Sequence, residues 1–280
     1  MSSAIKECFI SRFPNGVILE SDFSQLEVVG LAAISNDPVL IQDLLDGRDM
    51  HTYYTAQRLA IKEEEVTSHD RKFTKKMTFQ LQYGSGAKNM ALKLGLPQEQ
   101  CQAFIDAYYS RYARVREWQD EVYAQVVASR KPSKKITKEG EFSGRGEYHS
   151  VTGRIYHFYE MDAPAWKKDK TPSFMPTQVK NYPVQGFATG DLMAIFRAKV
   201  FRWWVQDTNM HRILPINTVH DNVMFDCLDE THAIYAAHKM DDIASTLVDE
   251  IEKLWGLKCP VPFKIESKYG PTWADMRKVA

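Results

Sequence analysis

The sequence predicts a mixed α/β fold, and three observations predict it. Short apolar runs bounded by polar turns recur near both ends of the chain, at Gly16–Asp22, Ile213–Phe225 and Val261–Glu266, each of a length that suits a buried strand. Stretches with helical periodicity fill the middle, and no internal repeat is present. With 280 residues, 44% of them hydrophobic, the chain has material for one large domain or two entangled ones around a real core.

The elements follow in order. Within residues 16–22 the run Val17-Ile18-Leu19 reads as a strand that leaves Asp22 at its end, and Ser24 opens a helix-like stretch through Ala33. Leu40–Leu45 and His51–Leu59 read as helices, and a longer helix from Ser68 to Tyr83 is broken by Gly84-Ser85-Gly86. One helix is expected from Pro97 to Ala128, an amphipathic scaffold rich in Tyr, Trp and charge. From Ser129 to His149 the composition turns to Lys, Gly, Ser and Pro, which predicts a loop or weak hairpin. Its Lys131, Lys134, Lys135, Lys138 and Arg145 suit solvated surface and phosphate contact equally. Residues 162–176 form a second irregular connection, with Pro164, Pro172 and Pro176 around Lys167-Lys168-Asp169-Lys170. A helix from Gly186 to Trp204 follows Pro183, then a strand-turn-strand over Ile213–Phe225 with Asp221 at its turn, and a last strand at Val261–Glu266.

Charge and cysteine content exclude some classes. The 36 basic and 36 acidic residues cancel, so no global field recruits a polyanion, although clustering can make a basic groove on a neutral protein. Cys8, Cys101, Cys227 and Cys259 lack paired metal-ligand spacing, and neither a signal peptide nor a long apolar run is seen. No membrane association is expected, and a reduced, cytoplasmic compartment is the default.

Two stretches carry the chemistry. Asp22-Phe23-Ser24-Gln25-Leu26-Glu27 and Val219-His220-Asp221 each place an aspartate at the end of an apolar run. Two such carboxylates on neighbouring strands can hold a pair of divalent ions for an in-line displacement at phosphorus. Between them, Arg71, Lys75, Phe79 and Tyr83 recur every four residues, a spacing that drifts by about 40° per step and keeps them on one broad helix face. Singly these signals are weak, since a strand-end Asp is more often a cap or turn former and such a face can be a snorkelling surface. Taken in order they read as a nucleotidyl transferase.

The ordered set resembles the palm and fingers of a family A DNA polymerase, the bacterial repair and phage replicative type. Asp22 to Glu27 resembles its motif A, Asp49-Met50-His51-Thr52 the Asp-x-His-Thr that follows, and Arg71 to Gly84 its motif B. Thr152-Gly153-Arg154 is similar to a shortened Gly-Arg motif, and Asn181-x-Pro183-x-Gln185-Gly186 to the minor-groove motif. Val219-His220-Asp221 resembles motif C, and Pro262-x-Lys264 through Trp273 the C-terminal strand. The resemblance implies a right-hand palm with an antiparallel sheet, residues 1–58 and 176–280, and helical fingers over residues 59–175.

What the resemblance implies for the residues is specific. Asp22, Asp221 and the Phe23 carbonyl are the ligands of two Mg²⁺ ions; Arg71, Lys75 and His51 contact the phosphates; Phe79 stacks on the nucleotide, and Tyr83 lies by the template base. Glu27 is the steric gate against a ribose 2′-hydroxyl, with Gln25 in the same nucleotide site. Gln185 and Asn181 reach the minor groove, and Arg154 and His220 contact DNA. The implied partners are primer-template DNA and dNTPs. Thumb and exonuclease lie outside the match, so a second polypeptide is expected to supply them, as in a split phage polymerase working as a heteromer. An inactive scaffold subunit that binds DNA is the alternative, and a single-subunit RNA polymerase is disfavoured by Glu27.

Three departures from the family pattern stand out. Val29 replaces an arginine after motif A, Thr78 and Gln80 replace Asn and Gly within motif B, and Asn222 replaces the glutamate after the motif C aspartate. Asn222→Asp is expected to be tolerated.

Overall fold

The computed structural model describes residues 3–82, 84–136, 140, 142–163 and 171–279. Tyr83, Lys138, Pro164 and Lys167-Lys168-Asp169-Lys170 lie outside the described residues. The chain divides into two compact units, Met1–Gly30 with Gly186–Ala280, and Leu31–Gln185.

The first unit opens with a short helix α1 (Ser3–Lys6), then β1 (Val17–Phe23) and the start of α2 (Leu26–Ser35). Successive side chains on a strand point to opposite faces. Leu19, Ser21 and Phe23 are therefore buried on one side of β1, while Ile18, Glu20 and Asp22 share the other.

The second unit is mainly helical: α3 (Pro38–Leu45), α4 (Met50–Leu59), α5 (Ser68–Gln82), α6 (Ala87–Leu94), α7 (Gln98–Arg111) and α8 (Ala113–Ala128). Asp37 and Asp49 start α3 and α4 by accepting backbone N–H groups that a helix leaves unpaired. The expected single helix over Pro97–Ala128 is two helices, broken at Tyr112 (φ −107°, ψ 64°). The cause is tertiary. The Tyr112 hydroxyl donates to Asp43 at 2.8 Å, Arg111 forks onto the same carboxylate at 2.8 and 2.6 Å, and the Val115 N–H donates to Asp37 at 3.2 Å.

Of the loop or weak hairpin expected over Ser129–His149, it is the hairpin that forms, β2 (Lys131–Ile136) against β3 (Phe142–His149), and β4 (Ile155–Tyr159) completes an antiparallel sheet in the order β2-β3-β4. Arg130 pairs with buried Glu160 at 2.7 Å, and the Gly144 N–H donates to the same carboxylate. That contact leaves no room for a Cβ at Gly144. α9 (Pro176–Gln185) closes this unit, so helical structure begins at Pro176 rather than at Gly186. Pro suits a helix start, and Pro183 removes one N–H from the interior.

The chain re-enters the first unit through a π-helical turn, Gly186–Leu192, and α10 (Met193–Gln206). Such a turn in the helix follows Pro183 directly, a usual setting for irregular winding. β5 (Ile213–Asn217), β6 (Asn222–Cys227), α11 (Glu230–Ser245), α12 (Leu247–Trp255), β7 (Ile265–Gly270) and β8 (Arg277–Lys278) complete it. The last long strand thus starts at Ile265 rather than Val261, because Pro260 and Pro262 cannot donate to a ladder.

The sheet of this unit is antiparallel, in the order β5-β6-β1-β7-β8. Phe196 of α10 stands edge-on to Phe23 at 4.8 Å. Ala233, Ala236, Ala237 and Met240 form the buried stripe of α11, whose small side chains let the helix lie close to its neighbours. On the other face, Ile18, Met224 and Trp273 form a smaller core. No described helix is long and apolar enough to cross a membrane.

Candidate active site

Two carboxylates meet at one end of the central strands of the first unit. Asp22 is the cross-strand partner of Asn222, and the Phe23 N–H donates to the Asp221 carbonyl at 3.2 Å. The Asp221 carboxylate lies near enough to bear directly on the ionisation of Asp22. Asp22 is exposed as a residue, yet surrounding protein crowds its carboxyl. That desolvation first, then the charges of Asp221 and Glu20, push it up to about 6 against the pull of Lys268. A carboxylate pair that resists ionising together is one that a hard divalent cation relieves.

Among the described residues no group of three or more His, Cys, Asp or Glu side chains could hold a metal ion. A metal ion at this strand end would find two carboxylates and backbone oxygen from the protein. Such a set fits a cation that keeps water and phosphate oxygens as its remaining ligands.

The backbone on either side of these aspartates is special. His220 has φ 53° and Gln25 has φ 54°, left-handed conformations uncommon for residues other than glycine. Arg197 Nη2 donates to the His220 carbonyl at 2.7 Å. The Gln25 carbonyl accepts the N–H groups of Val28 and Val29 at 2.9 and 3.0 Å, which starts α2 with Glu27 in its first turn, where an acidic side chain is favoured. Asn222 bonds Val219 N–H and Glu20, and Trp273 also donates to Glu20.

A second cluster lies on α4 and α5, within the other unit. Arg71 Nε pairs with Asp49 at 2.5 Å, and Asp49 also accepts the His51 N–H at 3.0 Å and the Thr52 hydroxyl at 2.8 Å. Burial works against ionisation of Asp49, but the bonds from Arg71 and Thr52 outweigh it and hold its carboxyl below the usual range. His51 is only 3% exposed. Its Nδ1 lies 2.8 Å from the Thr78 hydroxyl, and burial pushes the imidazole down to about 4, so the ring is neutral near pH 7. Lys75 is exposed, with Nζ 5.4 Å from the Phe79 ring centre, and the His51 and Phe79 ring centres are 6.0 Å apart. Arg71, Lys75, His51 and Phe79 are thus one cluster.

Thr78, a site residue that the motif pattern does not mark, is the partner of His51; its spacing of seven from Arg71 falls about 20° short of two full turns and keeps it on the Arg71 side of α5.

The remaining candidates are more dispersed. Arg154 is exposed in the β3–β4 turn, which Gly153 makes with φ 81° and in which the Ser150 N–H donates to the Arg154 carbonyl at 2.9 Å. On α9, Gln185 is exposed at the C-terminal end, while Asn181 Oδ1 is buried with no hydrogen-bond partner among the described residues.

A family model described as DNA polymerase family A matches residues 1–275. DNA polymerase I of Aquifex aeolicus is 27% identical over 259 residues, covering 90% of this chain and 38% of that protein. The thermostable DNA polymerase I of Thermus aquaticus is 25% identical over 278 residues, 99% of this chain and 29% of that protein. The DNA polymerase of Bacillus phage SP01 is 25% identical over 277 residues, 97% of this chain and 27% of that protein. The chain therefore spans well under half the length of these relatives. Among solved structures, the POL domain of Pol1 from M. smegmatis, in complex with DNA primer-template and dNTP, superposes with a TM-score of 0.66 at 20% identity, covering 97% of this chain and 42% of that one. That likeness concerns the fold.

Proposed function

This chain belongs to DNA polymerase family A, and on that premise we propose that it performs template-directed DNA synthesis, adding dNTPs to a primer 3′ end. The observation that carries the reading is the pairing of Asp22 with Asp221 at the ends of adjoining strands. We assign residues 1–58 and 176–280 to the palm and residues 59–175 to the fingers.

Asp22, Asp221 and the Phe23 carbonyl are the groups that would hold two Mg²⁺ ions, whose chemistry when bound is to acidify the primer 3′-hydroxyl and neutralise the triphosphate. The protein's own contributions are positioning and charge. Lys75, a point charge, and Arg71, a planar fork, bind triphosphate oxygens, and Arg71 exchanges part of its bond with Asp49 for phosphate. His51, neutral and anchored by Thr78, presents its other ring nitrogen to the same phosphates. Phe79 stacks on the nucleotide. Glu27 fills the space of a ribose 2′-hydroxyl, with Gln25 beside it in the chain.

Asn181 and Gln185 test base-pair geometry at minor-groove acceptors shared by all pairs. Arg154 and His220 complete the DNA contacts. A second polypeptide belongs to the same proposal, supported by the place of β5 at the edge of its sheet and by exposed Ile10, Phe201 and Ile216 in the first unit. Primer extension by the purified chain, alone and with a co-expressed candidate partner, tests the reading; no incorporation in either case, with template DNA still bound, would favour a scaffold role.

A further inference from the structure

The residue after Asp221 is Asn222, where the family usually has glutamate, and its contacts give that departure a role. Asn222 is 8% exposed, and both ends of its amide are engaged. Oδ1 accepts the Val219 N–H at 2.9 Å, and Nδ2 donates to Glu20 Oε1 at 3.1 Å. The amide orientation follows from its partners, because a backbone N–H can only donate and a carboxylate oxygen opposite demands a donor. The same Glu20 oxygen accepts Trp273 Nε1 at 2.9 Å, and Trp273 is itself packed against Ile18 and Met224. The Asn222 N–H donates to the Val219 carbonyl at 3.1 Å, so Asn222 grips Val219 through both backbone and side chain. Held inside that grip are His220, in its left-handed conformation, and Asp221.

We propose that Glu20 and Asn222 are positioning residues, a relay from Trp273 that clamps the Val219–Asn222 turn and so presents Asp221 beside Asp22. The proposal rests on the reading of Asp22 and Asp221 as the reaction site. Glu20 lies in register with Met224, two residues along β1 from Asp22, so its side chain shares the Asp22 face and reaches Asn222 diagonally. An ionised aspartate at position 222 cannot donate to Glu20 and sets a second negative charge against that carboxylate, a repulsion that swings it off the Val219 N–H. Asn222→Asp is therefore damaging, the reverse of the expectation from sequence.

The test compares wild type, E20A, E20Q and N222D in the full chain. Four quantities are measured: hydrogen exchange at the Val219 amide, Mn²⁺ affinity by electron paramagnetic resonance without DNA, kcat and KM for a matched dNTP, and Tm. For E20A and N222D the Val219 amide exchanges about tenfold faster, Mn²⁺ binds more weakly, and kcat falls about tenfold with KM within about twofold. E20Q keeps a carbonyl acceptor for both donors and recovers at least half of what E20A loses. N222D and E20Q are near-isosteric, so they decide the matter if E20A does not fold. Wild-type exchange and kcat in N222D would overturn the relay, as would E20Q as impaired as E20A, which would make the Glu20 charge and not its hydrogen bonds the active quantity. If wild type extends no primer but the exchange pattern holds, the polymerase reading fails while the clamp stands.

Discussion

Asp22 stands directly opposite Asn222 across the β1–β6 ladder, and the residue just before that second strand is Asp221, whose charge acts on the Asp22 carboxyl. Two acidic side chains are thereby held together at a strand end, with the Glu20 carboxylate on the same face. Folding keeps them together at a cost, because the Asp22 carboxyl is pushed up to about 6 from an ordinary carboxylate value.

The first prediction follows from that cost. A carboxyl raised on folding destabilises the folded state as pH rises through the unfolded and then the folded value, and the penalty is complete above about 6. Asp22→Asn should therefore raise Tm at pH 7.5 and have little effect at pH 3.5. Because the residue is exposed, the gain is discounted to on the order of 1 kcal/mol. Thermal melts of both proteins at the two pH values check it.

His51 supplies a stability prediction of opposite sign. Its imidazole is pushed down to about 4 by burial, so the unfolded chain takes up a proton near pH 6.5 that the folded chain refuses until about 4. The full contribution of the neutral ring is present above pH 6.5 and is lost as pH falls toward 4, a change on the order of 3 kcal/mol. Denaturant unfolding from pH 7.5 to 4.5 should show a fall in stability that His51→Gln lessens.

Lys75→Ala should lower kcat/KM for all four dNTPs alike, by about 10²-fold, since it removes charge stabilisation and no base contact. Single-nucleotide incorporation kinetics with each dNTP provide the comparison. Loss of DNA affinity alone, with a shallower salt dependence, would move Lys75 to the duplex track.

Glu27→Ala should raise the rNTP to dNTP ratio of kcat/KM by shortening the side chain assigned to the 2′ position. Competition between matched rNTP and dNTP on one primer-template measures it. An unchanged ratio would place the gate elsewhere.

The legible parts of this molecule were those whose signals are local. Val17-Ile18-Leu19 ending at Asp22, the helical pattern of His51–Leu59, and the four-residue spacing of Arg71, Lys75 and Phe79 all lie within a few turns of chain, and β1, α4 and α5 are found where those signals put them. The break at Tyr112 was not legible, because it is made by Asp37 and Asp43, which lie far back in the sequence. The β2–β3 hairpin was only half legible: the lysines and proline of β2 carry little strand propensity, so the composition allows a loop as readily, and pairing with β3 decides it. The helix α11 had a usable signal in Asp229 followed by alanines three and four apart.

At the site, residue types could be read but partners could not. Asn222 looked like a lost carboxylate until Glu20, 202 positions away, was seen to accept its amide. The resemblance implies a phosphate contact for His51 but says nothing of its charge, which Thr78 and burial set as neutral near pH 7.

The most direct test of the central claim is rapid-quench incorporation of one matched dNTP in Mg²⁺ by wild type and by Asp22→Ala and Asp221→Ala, with primer-template binding measured alongside. The account predicts that either substitution lowers the incorporation rate by about 10³-fold or more while DNA affinity changes little and Tm does not fall. Incorporation by Asp221→Ala at the wild-type rate would contradict it.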